Sequence, residues 1–360
     1  MRDRSGRPAP ARAGDARAQS RRLIATPTVL LWTDAPGPYV RAADAKGLAA
    51  RVELITVPLA EDPGDDVLGR CEALLAWRPP PRLAARAPRL RWIQSLTAGV
   101  EHWLASPDLP AGAVITCARG THRLQMPEHI LAALFLVTKH LDGIVLDQRE
   151  RRWRRRVNDT LAGKTLGILG LGAIGAELAK KAVALEMRVI GTRRDGAPVP
   201  HVERVWRPDG TNEVLDAADY VLLLLPSTVE TRGLMNKERL ARMRPTAYLL
   251  NFGRGDLVVD ADLVEAVRTR RIAGAVLDVF TTEPLPDDSP LWVTDGIVIF
   301  PHVGGLHPQR DALVAELFAD NLRRFVAGEP LRETVDRARG YSPRISWSAA
   351  RARCWWSSRT

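Results

Sequence analysis

Three charged side chains in the second half of the chain stand just after apolar runs that have the length of buried strands. They are Arg254, Glu283 and His302. Because the carboxyl ends of parallel strands meet at one edge of a sheet, we expect the three side chains to line a single cleft. An arginine binds a carboxylate through paired hydrogen bonds, and a histidine beside a carboxylate can hold and transfer a proton. The trio predicts chemistry on the carbonyl group of a small carboxylic acid.

Each member of the trio also has a purely structural interpretation. Arg254 could form an ion pair with Asp256, Glu283 could stand in a turn before a proline, and His302 could close a loop after one. For a single charged loop residue, the structural interpretation is the better one. Three such residues at successive strand ends, in a chain that also has a nucleotide motif, favour catalysis.

A glycine-rich turn follows the strand-like run 166–171 and opens a helical pattern. In this setting the first glycine permits a tight turn, the second lets the backbone approach a pyrophosphate, and the third lets helix and strand pack closely. The alternative is a glycine turn without a ligand. The position of the motif favours a dinucleotide site, formed by Gly170, Gly172, Ala173, Ile174 and Gly175.

The end of the next strand-like run, 188–192, discriminates between NAD and NADP. An acidic residue usually stands there and binds the ribose hydroxyls, but this chain has Arg193 and Arg194 after Thr192. A guanidinium suits a 2′-phosphate. Asp195 is an alternative acceptor for the ribose hydroxyls, and both arginines could also be solvated loop residues. We predict that Thr192, Arg193 and Arg194 contact the cofactor, with NADP(H) favoured over NAD(H).

The net charge of +10 is concentrated at the two ends of the chain. Residues 1–22 contain seven arginines and two aspartates, and residues 337–360 contain six arginines and no acidic residue. The body between them is nearly neutral, which argues against a nucleic-acid partner. The basic stretch 149–156 around Trp153 could bind nucleic acid, but a solvated helix face that leads into a linker is the better interpretation. We expect the tail 1–22 to be disordered.

Cysteine spacing and hydropathy indicate the compartment. Cys71, Cys117 and Cys354 have neither metal-binding nor redox spacing, so we expect a reducing compartment, no disulfide framework and no metal site. No apolar run approaches the length of a membrane-spanning helix, and no membrane partner is expected. These observations predict a cytoplasmic protein.

Alternating strand-like and helical runs predict an α/β protein with two doubly wound parallel sheets. A longer helical pattern at 127–146 separates the two units, and a final one at 309–326 is expected to return to the first unit. We therefore predict a Rossmann dinucleotide-binding domain inserted into a flavodoxin-like substrate domain. The strand-like runs are 29–32, 52–57, 73–77, 90–96 and 113–118 in the first unit, and 166–171, 188–192, 220–225, 247–252, 273–280 and 297–300 in the second.

Four segments in this order give the chain a resemblance to the D-isomer-specific 2-hydroxyacid dehydrogenases over about residues 25–341. The resemblance implies that Arg254 binds the substrate carboxylate and that Glu283 and His302 handle the proton. It also implies a dimerisation arm near 125–150, and hence a homodimer. The segments are 166–175, Asn251-Phe252-Gly253-Arg254-Gly255, 277–286 and Pro301-His302-Val303-Gly304-Gly305.

The same resemblance assigns further contacts. Asp278 would lie near the nicotinamide carboxamide, and Leu225 and Pro226 would lie along the adenosine. The loop 95–100 resembles the substrate loop of the family, whose backbone amides meet the carboxylate. On this basis the expected substrate contacts are Ala98, Gly99, Val100, Arg254 and His302, and the remaining expected cofactor contacts are Phe252, Gly253, His302 and Gly304.

Residues 97–101, 119–123 and 192–194 are similar to a branch of the family, the NADP-using glyoxylate/hydroxypyruvate reductases. The resemblance implies reduction of a small 2-oxo acid to the D-2-hydroxy acid. The alternative is a dinucleotide-sensing, corepressor-like protein on the same fold. The expected boundaries are 23–122 with 306–336 for the substrate domain and 123–305 for the dinucleotide-binding domain. The end of the chain, 342–360, resembles nothing in the family and is left unassigned.

Overall fold

The computed structural model describes residues 26–342, and these form two parallel sheets. The expectation for the basic tail 1–22 lies outside the described residues, as does nearly all of the unassigned end 342–360. Of that end only Ser342 is described, and it is buried. The fold class predicted from the sequence, two parallel-sheet α/β units, is confirmed.

The first sheet has five parallel strands in the order β2-β1-β3-β4-β5, the order of flavodoxin-like folds. Its central strands are buried on both faces, which is why they read as continuous apolar runs. The strands are β1 (Thr28–Trp32), β2 (Glu53–Val57), β3 (Cys71–Ala76), β4 (Trp92–Ser95) and β5 (Val114–Thr116), and the helices between them are α1 (Gly37–Ala45), α2 (Asp65–Arg70), α3 (Leu83–Arg86) and α4 (Glu101–Leu104).

Helices α5 (Gln125–Thr138) and α6 (Leu141–Arg149) connect the two units, where the sequence pattern predicted one helical segment over 127–146. The single-segment prediction is wrong because His140 has a left-handed backbone with φ of +50°, which ends the first helix. Most of the basic stretch 149–156 then follows α6 without regular structure. Among residues 26–342 no single helix is long and apolar enough to cross a membrane, and α5 and α6, which reach that length only together, are bent by 66°.

The second sheet has seven parallel strands in the order β12-β11-β10-β9-β6-β7-β8, the doubly wound Rossmann order with one added strand. Its strands are β6 (Thr165–Leu169), β7 (Arg188–Thr192), β8 (Arg204–Trp206), β9 (Tyr220–Leu223), β10 (Tyr248–Asn251), β11 (Gly274–Leu277) and β12 (Ile297–Ile299), and its helices are α7 (Ala173–Ala184), α8 (Thr211–Ala217), α9 (Lys237–Leu240) and α10 (Asp260–Arg268).

The sequence predicted six strands here and missed β8, so that count is corrected to seven. β8 is three residues long, stands at the sheet edge and is at most half-buried. An edge strand of this length has no apolar run to reveal it.

Helix α11 (Arg310–Ala327) returns to the first sheet, as the sequence predicted. Its Phe318 is fully buried and stacks on Trp92 of β4, with ring centroids 5.6 Å apart. Tyr39 of α1 contacts the Phe318 ring edge-on, with ring centroids 6.0 Å apart. Helix α11 therefore packs on the first sheet, and the chain crosses between the sheets twice, after β5 and before α11.

Two histidines mark these crossings. His122 stands on the outgoing crossing and His307 on the returning one, with ring centroids 6.3 Å apart. Nδ1 of His122 and Nε2 of His307 are buried without a hydrogen-bond partner among the described residues. Burial, with the charge of Arg310 and the neighbouring His307, lowers the pKa of His122 to about 4. The crossings therefore tolerate the neutral imidazole and disfavour the imidazolium.

This cluster predicts acid sensitivity of the fold. In the unfolded chain His122 takes up its proton near the ordinary histidine pKa of 6.5, and in the folded protein only near a pKa of about 4. The unfolded state thus binds more protons in this window, so stability falls as the pH drops through it, by about 3 kcal/mol in total. Urea unfolding at stepped pH should give a shallower acid loss for His122→Gln than for the wild type. The exposed His201→Gln should match the wild type; equal acid losses for all three proteins would contradict the prediction.

Candidate active site

The Arg254 loop is held by close backbone contacts at the carboxyl edge of the second sheet. A Cβ atom on Gly253 would stand 2.7 Å from the carbonyl oxygen of Leu225, and one on Gly255 would stand 1.8 Å from the carbonyl carbon of Phe280. Only glycine permits such approaches. The loop after β10 is thereby pressed against the loops after β9 and β11, and Arg254 projects from between them.

Glu283 and His302 form a hydrogen-bonded pair. Nδ1 of His302 lies 2.7 Å from Oε2 of Glu283, and Oε1 of Glu283 accepts the backbone N–H of Phe280 at 2.9 Å. This second bond fixes the carboxylate, which in turn fixes the imidazole ring. Because the two ring nitrogens point in divergent directions, Nε2 is directed away from Glu283 and is available to a ligand.

Arg254 is ion-paired across the cleft between the two sheets. Its Nε donates to Oε1 of Glu101 at 2.9 Å, and its Nη1 donates to the carbonyl of Gly253 at 2.7 Å. The structural alternative, a pair with Asp256, is wrong, because Asp256 instead contacts Ser227 and Arg232. Arg254 and Glu101 are each about one-third exposed, at 33% and 34% of the side chain.

The loop after β4 lies against the Arg254 guanidinium. A Cβ atom on Gly99 would stand 1.7 Å from Nη2 of Arg254, so the guanidinium rests directly on this glycine. Thr97 stabilises the loop by donating its hydroxyl to the carbonyl of Gly99 at 2.5 Å. Within the described chain, the backbone N–H groups of Ala98, Gly99 and Val100 have no hydrogen-bond acceptor. Unpaired amides beside a guanidinium suit an anion.

Asp278 is buried at the end of β11 and ties β11 to the loop of His302. Its carboxylate accepts the backbone N–H groups of Val303 at 2.9 Å and of Gly304 at 3.1 Å. Burial raises the pKa of Asp278, and the two amides act in the opposite direction. Gly304 is pressed against this carboxylate, since a Cβ atom there would stand 2.7 Å from Oδ2.

The glycine turn has the geometry that the sequence predicted for a phosphate loop. Gly170 has φ of +108°, and a Cβ atom there would stand 2.9 Å from the carbonyl of Leu224. A Cβ atom on Gly175 would stand 3.2 Å from the carbonyl oxygen of Gly170. At Gly172, which precedes α7, the nearest atom to a would-be Cβ is Nη2 of Arg119, at 3.9 Å. The space above Gly172 is open and faces a cation, so the turn fits a dinucleotide pyrophosphate.

The other expected cofactor residues lie along the same edge. Ala173 and Ile174 begin α7, and Thr192 ends β7. Leu225 and Pro226 follow β9, and Phe252 follows β10 as a buried side chain.

The two arginines after β7 have different partners. Arg193 forms an ion pair with Asp195 at 2.9 Å, so the alternative acceptor predicted from the sequence is already engaged. The guanidinium of Arg194 lies 4.7 Å from the ring centroid of Tyr341. Arg119 donates to the carbonyl of Ser342. The last described residues therefore touch two arginines at the cofactor end of the cleft.

Sequence reasoning gave no role to Glu101, Arg119, His129 or Tyr341. Glu101 and Arg119 lie in segments that resemble the family, but the resemblance assigned them no contact. No sequence pattern links Glu101 to Arg254, which is 153 positions away. His129 packs edge-on against Phe300 at 5.0 Å, and its Nε2 lies 3.9 Å from Oδ1 of Asp278. It falls on the apolar face of α5, where periodicity suggested only core packing.

Comparisons with known proteins agree with this geometry. A sequence model described as "D-isomer specific 2-hydroxyacid dehydrogenase, NAD binding domain" matches residues 131–304. The chain is 33% identical over 311 residues to glyoxylate/hydroxypyruvate reductase A of Serratia proteamaculans (strain 568), with 84% of this chain and 98% of that protein covered.

Two solved structures extend the likeness to the whole fold. A D-isomer specific 2-hydroxyacid dehydrogenase family protein from Aeromonas salmonicida superposes with a TM-score of 0.78 at 32% identity, covering 87% of this chain and 99% of that chain. An NADPH-dependent glyoxylate/hydroxypyruvate reductase from Sinorhizobium meliloti, solved with NADP and sulfate, superposes with a TM-score of 0.76 at 28% identity, covering 88% of this chain and 100% of that chain. The resemblance predicted from the sequence is confirmed. The chain belongs to the D-isomer specific 2-hydroxyacid dehydrogenase family of oxidoreductases.

Proposed function

We propose that this protein reduces a small 2-oxo acid, of the glyoxylate or hydroxypyruvate type, to the D-2-hydroxy acid with NADPH. The observation that carries the proposal is the 2.7 Å contact between Nδ1 of His302 and Glu283, at the same sheet edge as Arg254. The names of the relatives from Serratia proteamaculans and Sinorhizobium meliloti support the substrate class. NADPH, when bound at the Gly170–Gly175 turn, supplies the hydride.

The proton is assigned to the histidine pair. Glu283 accepts from Nδ1 of His302 and so fixes the orientation of the ring. Nε2 then donates its proton to the carbonyl oxygen as that oxygen gains negative charge, and it accepts the proton in the reverse direction. Because Phe280 holds the other oxygen of Glu283, the ring needs no reorientation between the two directions.

The substrate carboxylate is assigned to Arg254 and the loop after β4. The N–H groups of Ala98, Gly99 and Val100 add neutral donors beside the guanidinium. A carboxylate held there has its carbonyl carbon fixed relative to both the cofactor and His302, which lowers the entropic part of the barrier. Closure of the two domains over the substrate would exclude water.

The preference for NADPH is assigned to Arg193 and Arg194. Both follow β7 where an acidic residue would otherwise accept from the ribose. Two positive side chains at this position suit a 2′-phosphate. The structure of the Xanthobacter autotrophicus relative, 30% identical, was solved with NADPH, which supports the assignment.

We also assign the dimer contact to the α5–α6 arm. On and after α6, several apolar side chains are exposed, with Trp153 at 95%. An apolar group of this kind on a charged chain is typical of a protein interface. We further propose domain limits of 23–122 with 306–336 for the substrate domain and of 123–305 for the dinucleotide-binding domain. The other exposed apolar residues are Leu141, Ile144, Val145, Leu146 and Val157.

The reaction is tested by NADPH oxidation with glyoxylate and with hydroxypyruvate. His302→Gln should lower kcat by about 10²- to 10⁴-fold, because proton transfer is lost while binding is kept. Arg254→Lys should chiefly raise KM for the acid, because lysine cannot make the paired contact. Arg244→Lys, a surface arginine paired with Asp219, is the matched control. Wild-type protein that binds NADPH but turns over no 2-oxo acid would sink the proposal.

The cofactor assignment is tested by the ratio of kcat/KM with NADPH to that with NADH. Arg194→Ser should lower this ratio on the order of tenfold or more, since a charge-assisted contact to the 2′-phosphate is lost. Arg188→Ser is the control, because Arg188 begins strand β7, after which Arg194 stands, but it pairs with Glu203 at 2.9 Å. A ratio unchanged in Arg194→Ser and in Arg193→Ser would exclude both arginines.

The dimer is tested by sedimentation equilibrium. Leu146 is 58% exposed, so a charge there should leave the fold intact. If α6 forms the interface, Leu146→Glu should shift the protein to monomer because a carboxylate would be buried unpaired. The similarly charged change Val229→Glu, at a residue 89% exposed elsewhere, should leave the dimer unchanged. A monomeric wild type would refute the assignment.

A further inference from the structure

We propose that Glu101 positions Arg254 throughout substrate binding and, by its charge, discriminates against 2-oxo acids that carry a second carboxylate. The inference rests on the proposed function, since it defines the substrate class of that site. Glu101 comes from the first sheet unit and Arg254 from the second, so the pair bridges the cleft.

The hydrogen bonds of Arg254 leave one defined pair of donors free. A guanidinium has five N–H groups in one plane. Nε and Nη2 face Glu101 at 2.9 Å and 3.5 Å, and Nη1 donates to the carbonyl of Gly253 at 2.7 Å. One N–H on Nη1 and one on Nη2 remain. Since the group is planar, these two point in parallel from its far end, which is the arrangement that binds a carboxylate with two contacts.

Glu101 therefore does not compete with the substrate for the same donors. It occupies the Nε side of the guanidinium, and the substrate carboxylate takes the far end. Gly99 lies against the guanidinium, since a Cβ atom on Gly99 would stand 1.7 Å from Nη2. Glu101, Gly99 and the carbonyl of Gly253 together leave Arg254 a single orientation.

The charge of Glu101 has a second consequence. No ion pair to Glu101 other than that of Arg254 is present among the described residues. The Arg254–Glu101 pair is neutral by itself, and a bound monoanion adds one negative charge that the guanidinium and the neighbouring backbone N–H groups share. A substrate with another carboxylate brings a third negative charge within several ångströms of Glu101, in a partly buried cleft where screening is weak. Glyoxylate and hydroxypyruvate do not carry this penalty.

The two roles separate in two substitutions. Glu101→Gln keeps an oxygen that accepts from Nε and removes the charge, whereas Glu101→Ala removes both. We expect Glu101→Gln to raise kcat/KM for oxaloacetate relative to hydroxypyruvate on the order of tenfold. Glu101→Ala should raise KM for hydroxypyruvate on the order of tenfold while KM for NADPH stays constant, because Arg254 loses its orientation.

Glu72→Gln is the matched control, because Glu72 pairs with Arg91 at 2.9 Å in the same unit, away from the cleft. It should reproduce the wild-type substrate ratio. A lower KM for hydroxypyruvate in Glu101→Ala would mean that Glu101 blocks Arg254 and must be displaced, which overturns the positioning role. An unchanged substrate ratio in Glu101→Gln overturns the discriminating role. If the alanine variant does not fold, the glutamine variant alone decides the second point, and Glu101→Asp, with its shorter reach to Nε, decides the first by a raised KM.

A binding measurement separates failure of this inference from failure of the proposed function. Oxamate has the shape of the substrate with one carboxylate, and tartronate carries two. Calorimetric titration of both into the protein saturated with NADPH needs no turnover. Glu101→Gln should raise the affinity for tartronate relative to oxamate on the order of tenfold. Absence of turnover with such a shift would contradict the reaction and keep the role of Glu101; turnover without the shift would do the reverse.

Discussion

The candidate site depends on the contact between two backbones at Gly255 and Phe280. A single added carbon at Gly255 would stand 1.8 Å from the carbonyl carbon of Phe280. This contact presses the Arg254 loop onto the turn whose N–H, at Phe280, fixes Glu283. Through Glu283 it reaches His302. Arg254, which would hold the carboxylate, and the Glu283–His302 pair, which would move the proton, are thus both positioned by the main chain at Phe280. Side-chain motion does not change the position of this main chain.

Polar contacts cross the cleft between the two sheets. Arg254 of the second unit meets Glu101 of the first, and Arg194 of the second unit meets Tyr341, which follows the return to the first. Polar, partly solvated contacts between domains can separate and re-form at small cost, whereas the buried cores on either side cannot. At the crossings, Nδ1 of His122 and Nε2 of His307 make no hydrogen bond to another described residue. Together these features suit two rigid bodies that move about their paired connections.

Much of the fold could be predicted from the sequence because buried parallel strands are continuous apolar runs. Strand β7 begins and ends at the predicted residues. The failures have local causes. The break at His140 depends on a left-handed residue that periodicity does not register, and β8 is too short and too exposed to give a pattern. For the site, the strand-end rule brought Glu283 and His302 together, but it could not supply Glu101. Partners from different sheets meet only after the chain has folded.

The segment 333–342, the last that the structure describes, runs from the first sheet to the cleft. Residues 333–335 join β5 through backbone bonds at Cys117 and Ile115, and the segment then reaches Arg194 through Tyr341 and Arg119 through Ser342. Trimming the chain before Tyr341 would strip one contact from each arginine at the cofactor end. Kinetic constants measured on a protein shortened in this way would therefore describe a cleft without these two contacts.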